Sequence, residues 1–114
     1  MTVREFCDLH DACQDGRDWA IATGQTLQEI WQRDDLDPYW RVWMATCPGV
    51  LDDKTRQLFA RWCDTDWNTA YDDAYDEVRD KTWAAAVTVA VRVASRAAAN
   101  WLRENTNPNW EAMP

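Results

Sequence analysis

Between Gly49 and Pro108 the chain contains neither glycine nor proline. These two residues are the strongest local breakers of regular structure, so a long Ala-, Asp- and Arg-rich stretch without them is free to be helical throughout. A single helix from Asp52 to Arg103 would be roughly 78 Å long at about 1.5 Å per residue. That is several times the radius of gyration of about 13 Å expected for a chain of this size, so the stretch must fold back at least once. Asp64-Thr65-Asp66 and Asp80-Lys81-Thr82 are the expected breaks, because Asp and Thr side chains accept hydrogen bonds from the free N–H groups that open a helix. With only three Gly in 114 residues, the fold class reads as all-α: a compact bundle of about five helices forming one domain, 1–114.

The first half carries clearer punctuation. Thr2 can cap a helix whose apolar positions Val3, Phe6, Cys7, His10 and Cys13 recur at three and four, with Gly16 marking its end. A short helix from Asp18 to Thr23 should stop at Gly24, which tolerates a left-handed terminus. Thr26-x-x-Glu29 has the form of a capping box ahead of Leu27, Ile30 and Trp31. Asp37-Pro38 restarts a helix with Asp as cap and Pro at its first position. Tyr39, Trp40, Val42, Trp43 and Met44 then make it apolar on most of its circumference, the candidate buried central helix, closed by Cys47-Pro48-Gly49. In the last helix, Trp83, Val87, Ala90, Ala94, Ala97 and Trp101 alternate in steps of four and three, the spacing of a packing seam.

Charge narrows the function. Twelve Lys and Arg against twenty Asp and Glu give a formal net charge of −8, whereas phosphate binding needs a basic footprint. No direct nucleic-acid contact is therefore expected, and basic proteins, including those that hold DNA or RNA, are the favoured partners. No apolar run approaches the roughly eighteen residues of a membrane span. Arg4, Glu5, Asp8 and Asp11 interrupt the N-terminus where a signal peptide needs an apolar core. The expected compartment is the cytosol, where Cys7, Cys13, Cys47 and Cys63 should be reduced, buried thiols.

The carboxylates are unevenly placed. Asp64, Asp66, Asp72, Asp73, Asp76, Glu77 and Asp80 lie in one stretch opposed only by Arg79. On a helix Asp72, Asp76 and Asp80 stack at i, i+4 and i+8, beside a parallel row of Asp73 and Glu77. Like charges at that spacing cost a few tenths of a kcal/mol per pair. The plain explanation is a solvated face that keeps the protein soluble. The functional one is an electrostatic landing strip whose carboxylates imitate a phosphate backbone and compete for the Lys and Arg of a basic groove. A metal site built from these acids is disfavoured, since no Glu-x-x-His pattern accompanies them.

Cys7-x-x-His10-x-x-Cys13 holds three zinc-ligating residue types, with Cys47 or Cys63 available as a fourth. The alternative is that Cys7 and His10 line a core face, His10 bonded to a carboxylate or carbonyl. A Cys–His dyad would be a nucleophile in principle, but the chain has no nucleophile turn or phosphate-cradling loop. Binding is favoured over catalysis, and no cofactor is implied. Of the nine Trp, Trp31, Trp40, Trp43, Trp62, Trp83 and Trp101 fall on apolar helix faces and read as core. Trp110 either pins the C-terminal segment down or serves as an interface anchor of the hot-spot type.

Three stretches resemble a known family: Glu5-Phe6-Cys7-Asp8-Leu9-His10-Asp11-Ala12-Cys13 running on to Gly16-Arg17-Asp18-Trp19-Ala20; Cys47-Pro48-Gly49-Val50-Leu51 with Arg56-Gln57-Leu58-Phe59-Ala60; and Trp101-Leu102-Arg103 to Asn109. They are similar to the helical, Ala- and Trp-rich immunity proteins of phages and bacteria, although the Ala/Asp-rich middle section is shorter here. The resemblance implies a toxin-neutralising or anti-defence protein of the host bacterial cytosol that works by stoichiometric blockade. Small acidic phage proteins of that kind include anti-CRISPR inhibitors, some of which imitate DNA. The expected contact residues are Asp64, Asp66, Asp72, Asp73, Asp76, Glu77, Asp80 and Trp110. A Cys7/His10/Cys13 zinc module and a purely structural phage or bacterial protein are the alternatives.

Overall fold

Glycine and proline scarcity is expressed as helix almost everywhere. The computed structural model describes residues 1–111, and among them there is no β-strand. The elements are α1 (Val3–Leu9), α2 (Gln14–Thr23), α3 (Leu27–Trp31), α4 (Pro38–Thr46), α5 (Asp53–Trp62), a π-helical segment (Cys63–Trp67), α6 (Asn68–Val78) and α7 (Trp83–Asn105). The chain is all-α, and because α5, the π-helical segment and α6 run on without a break it forms six continuous helices among the described residues, in line with the about five expected. Its contacts gather into two units: Met1–Leu51 together with the segment from Asn107, and Asp52–Thr106.

In the first unit the side-chain caps fix the helix starts. Thr2 and Glu5 form a capping box on α1, and Thr26 and Glu29 form another on α3. Hydrogen bonds from Thr2 hold the Glu5 carboxyl below its usual range, and those from Thr26 do the same for Glu29. A carboxyl with a depressed folded pKa stabilises the fold above its ordinary value, and that contribution is lost as the pH falls below it. Asp37 caps α4 with Pro38 at its first position, and Gly24 closes α2 at φ 67°.

The boundary between α1 and α2 differs from the expected one. The first helix ends at Leu9, where Asp11 turns the chain at φ 54° and the Ala12 N–H donates to the Cys7 carbonyl at 3.0 Å. Asp is among the few non-glycine residues that tolerate this region. Cys13 then caps α2, whose Gly16 is interior and not a terminator. A Cβ on Gly16 would lie 3.2 Å from Cys13 Sγ and 3.4 Å from Trp40 Cε2, so this glycine serves a close approach.

Phe6 is the aromatic hub of this unit. Its ring meets Trp43 edge-on at 5.9 Å and Trp110 at 5.8 Å, and Trp110 in turn meets Trp31 at 5.4 Å. Trp31, Ile30 and Val50 are almost fully buried. The expected central helix, α4, buries one side: Arg41, Met44 and Ala45 are inside while Tyr39 is 46% exposed. Arg41, 3% exposed, donates through Nη2 to the carbonyls of Trp31 at 2.9 Å and Arg33 at 2.6 Å, with its guanidinium 5.7 Å from the Trp31 ring. A cation here also answers the negative end of the α3 dipole.

In the second unit the expected break at Asp64-Thr65-Asp66 does not occur. The chain stays helical from Asp53 to Val78 through the π-helical segment. Thr65 Oγ1 donates back to Arg61 O, Asn68 Nδ2 to Asp64 O and Thr69 Oγ1 to Thr65 O. Polar side chains that could have capped a new helix are thus turned onto carbonyls of the preceding turn, a use that competes with capping. The break at Asp80-Lys81-Thr82 is present, with the Thr82 side chain accepting from Ala85 N–H.

α7 packs through a row of small residues. Ala86, Ala90, Ala94, Ala98 and Leu102 are buried at steps of four, joined by Ala99. Only Ala90 and Ala94 of the expected seam belong to that row. Steps of four drift by about 40° each on a straight helix, so this row of small side chains winds slowly round α7 and lets its neighbours approach closely along it. Trp101 joins the edge of this surface, stacking on Phe59 at 5.6 Å and lying 6.2 Å from Trp62.

Candidate functional site

α6 is two-faced by construction. At about 100° per residue, Trp67, Ala70, Tyr71, Ala74, Tyr75 and Val78 occupy one side, and Asp72, Asp73, Asp76 and Glu77 the other. Ala74 is buried and the remaining apolar residues are half-buried, while all four acids are exposed. Asp64, Asp66 and Asp80 are exposed as well. None of the seven carboxylates forms an ion pair among the described residues, whereas the Met1 N-terminus pairs with Glu111, Arg17 with Asp8, and Arg33 with Asp35.

The row of carboxylates is shorter than expected. α6 ends at Val78 with Arg79 as its C-cap, so Asp80 lies in the turn towards α7 and does not continue the i, i+4 row on the helix. Asp64 and Asp66 sit on the π-helical segment, whose wider turn shifts the phase of the faces before α6 begins. The structure therefore brings together Asp72, Asp73, Asp76 and Glu77, with Asp80 nearby in sequence and Asp64 and Asp66 on a different turn type. The four helical acids span about 7.5 Å of axis, a mean step of about 2.5 Å between charges, against about 1.7 Å in duplex DNA. Asp76 and Glu77 lie in the last turn, which holds no basic residue. There the helix dipole disfavours negative charge by about 0.3–1 kcal/mol per group, an effect that fades before Asp72 and Asp73.

An aromatic ladder borders the acids. Trp67 stacks on Tyr71 at 5.4 Å, and Tyr71 on Tyr75 at 6.3 Å with ring planes 14° apart. Tyr71, Asp72, Tyr75, Asp76 and Trp83 line a shallow recess of about 430 Å³. Trp83 was expected in the core but is 73% exposed. It is the first residue of α7, a turn ahead of the first buried alanine, so the helix has not yet met its packing surface.

Trp110 takes the pinning role. It is 9% exposed, its indole N–H donates to Gln28 Oε1 at 2.7 Å, and the neighbouring Asn109 N–H donates to Val50 O at 2.8 Å. With its ring spent on Phe6 and Trp31, it is withdrawn from the set of contact residues.

The Cys7/His10/Cys13 set is not assembled as a ligand cluster. Cys7 is buried on α1, and Cys13 is exposed with its sulfur accepting from Gly16 N–H at 3.4 Å. His10 packs its ring 4.6 Å from Phe6, and its Nε2 makes no hydrogen bond among the described residues, contrary to the expected carboxylate or carbonyl partner. No group of three His, Cys, Asp or Glu residues is placed to hold a metal ion among the described residues. All four cysteines are free, but Cys13 is exposed and Cys63 half-buried, so the expectation of four buried thiols holds for Cys7 and Cys47 alone. Burial pushes the Cys47 thiol up to about 11. Since the thiolate is the reactive form, iodoacetamide at pH 8 is expected to modify Cys13 first and Cys47 at least about ten-fold more slowly, as read by peptide mass mapping over time.

The first unit also holds an apolar recess of about 370 Å³, walled by residues including Phe6, Leu27, Trp19, Trp40 and Met44. Among the described residues lining it, Asp11 is the one charged side chain. Ligand sites ordinarily orient their occupant with several converging polar groups, and this recess supplies burial without such orientation.

No helix among the described residues is long and apolar enough to cross a membrane. No protein-family model, curated protein or solved structure matches the chain.

Proposed function

We propose that this chain is a stoichiometric inhibitor which binds a basic bacterial protein, one that itself grips nucleic acid, by laying the acidic face of α6 into its cationic groove. The observation that carries this reading is the unpaired row Asp72, Asp73, Asp76 and Glu77, exposed along one face at about two-thirds of the linear charge density of duplex DNA. The row disfavours its own helix through like-charge repulsion and through the dipole. A basic groove relieves both costs on binding, and long-range attraction speeds the encounter. The resemblance to immunity proteins agrees with blockade in place of catalysis, with a defence protein or a toxin as target.

Added nucleic acid supplies the test. A tagged chain incubated with bacterial lysate is expected to retain a basic protein that is released by added duplex DNA or RNA in proportion to its concentration, because both occupy one groove. Retention that is indifferent to saturating nucleic acid would contradict the proposal.

A further inference from the structure

The geometry points to a receptor for an arginine side chain of the basic partner, formed by Tyr71, Tyr75 and Trp83 with Asp72 and Asp76; it rests on the reading of α6 as the partner-binding face. Carboxylates alone attract any cation and do not separate arginine from lysine. The recess does more, because it places three aromatic residues and two carboxylates around one space. A guanidinium is flat and weakly hydrated, stacks on aromatic faces, and presents paired donors to a carboxylate, whereas an ammonium is a compact, strongly hydrated point charge.

Trp83 is the most telling member. It is 73% exposed and makes no ring contact with another aromatic side chain among the described residues, while the neighbouring tyrosines are stacked and half-buried. An indole left open beside two carboxylates is a poor use of apolar surface for folding. It is a good one for binding, since Trp, Tyr and Arg are the residues in which interface energy concentrates, and Trp is the strongest cation–π partner. Asp72 and Asp76, one helical turn apart, hold the charged end of the guest while the rings take its flat face. The recess thereby turns a diffuse acidic face into one with a register.

The test uses the full chain and two short fluorescein-labelled probes of equal length, oligoarginine and oligolysine, followed by fluorescence anisotropy at physiological ionic strength. The wild-type chain is expected to bind oligoarginine about three- to ten-fold more tightly than oligolysine. Trp83→Ala should remove that preference while leaving oligolysine binding unchanged, and Trp83→Phe should restore part of it. Trp83 is exposed, so the helical circular dichroism of these variants should match the wild type. Tyr75→Leu gives a second reading from the other side of the recess. An arginine preference that survives both Trp83→Ala and Tyr75→Leu, or none in the wild type, would overturn the receptor. Asp72→Lys with Asp76→Lys separates the two claims. Loss of both probes in that variant upholds the acidic face whatever Trp83 does, while unchanged binding of both, or no binding by the wild type, removes the face and the receptor together.

Discussion

Trp110→Ala is expected to lower the stability of the unit formed by Met1–Leu51 and the segment from Asn107 by about 3–5 kcal/mol. The ring it removes is 9% exposed and meets both Phe6 and Trp31, so the vacated space lies at the aromatic hub and neighbouring rings cannot collapse into it without leaving their own contacts. Its indole N–H also satisfies Gln28. Because the segment from Asn107 is joined to Val50 by the Asn109 N–H, the substitution should release the segment as well. The check is urea denaturation followed by Trp fluorescence: a midpoint shifted well down for Trp110→Ala, and one close to the wild type for Trp83→Ala, the exposed counterpart.

Arg41→Ala is expected to cost about 2–4 kcal/mol. The guanidinium is 3% exposed and answers the Trp31 and Arg33 carbonyls at the end of α3. Its loss leaves two acceptors unsatisfied in a place water reaches poorly, and removes packing against the Trp31 ring. Arg41→Lys should recover little, because one ammonium on a flexible stem does not reproduce the planar donor fork. Thermal denaturation of the two variants should therefore give similar, lowered midpoints. A lysine variant as stable as wild type would show that charge near the α3 terminus matters and the fork does not.

Local signals made part of the fold legible from the sequence. Thr26-x-x-Glu29, Asp37-Pro38 and Gly24 each carry their own mechanism within a few residues, and each sits where its chemistry requires. The failures arose where the outcome depended on contacts that a linear pattern does not contain. Gly16 has the form of a terminator, yet it is needed for the approach of Trp40, and the turn falls to Asp11. Asp64-Thr65-Asp66 has the composition of a cap, but Thr65 and the following Asn68 and Thr69 bond backwards and carry the helix on. Arg41 reads in the sequence as one cation among the aromatics of α4, and its burial against the end of α3 depends on contacts that spacing does not carry.

The candidate site was legible as composition and less so as shape. The acidic face of α6 follows from spacing alone, and the displacement of Asp80 follows from α6 ending at Val78, just ahead of the break that Asp80-Lys81-Thr82 signals. Trp83 shares the apolar periodicity of α7 but precedes its first packed turn, so periodicity assigned to the core a ring that the fold leaves outside. The recess beside Asp72 and Asp76 joins residues of α6 to the first residue of α7, a juxtaposition set by the turn at 79–82.

Binding of α6 through its carboxylates is tested by the affinity of the captured basic partner for the wild-type chain and for the Asp72→Lys, Asp76→Lys, Asp80→Lys variant, at low and at physiological salt. Added salt is expected to weaken wild-type binding, and charge reversal to cost at least about 100-fold, or about 2.7 kcal/mol. Equal dissociation constants for the two chains at physiological salt would contradict binding through the carboxylates.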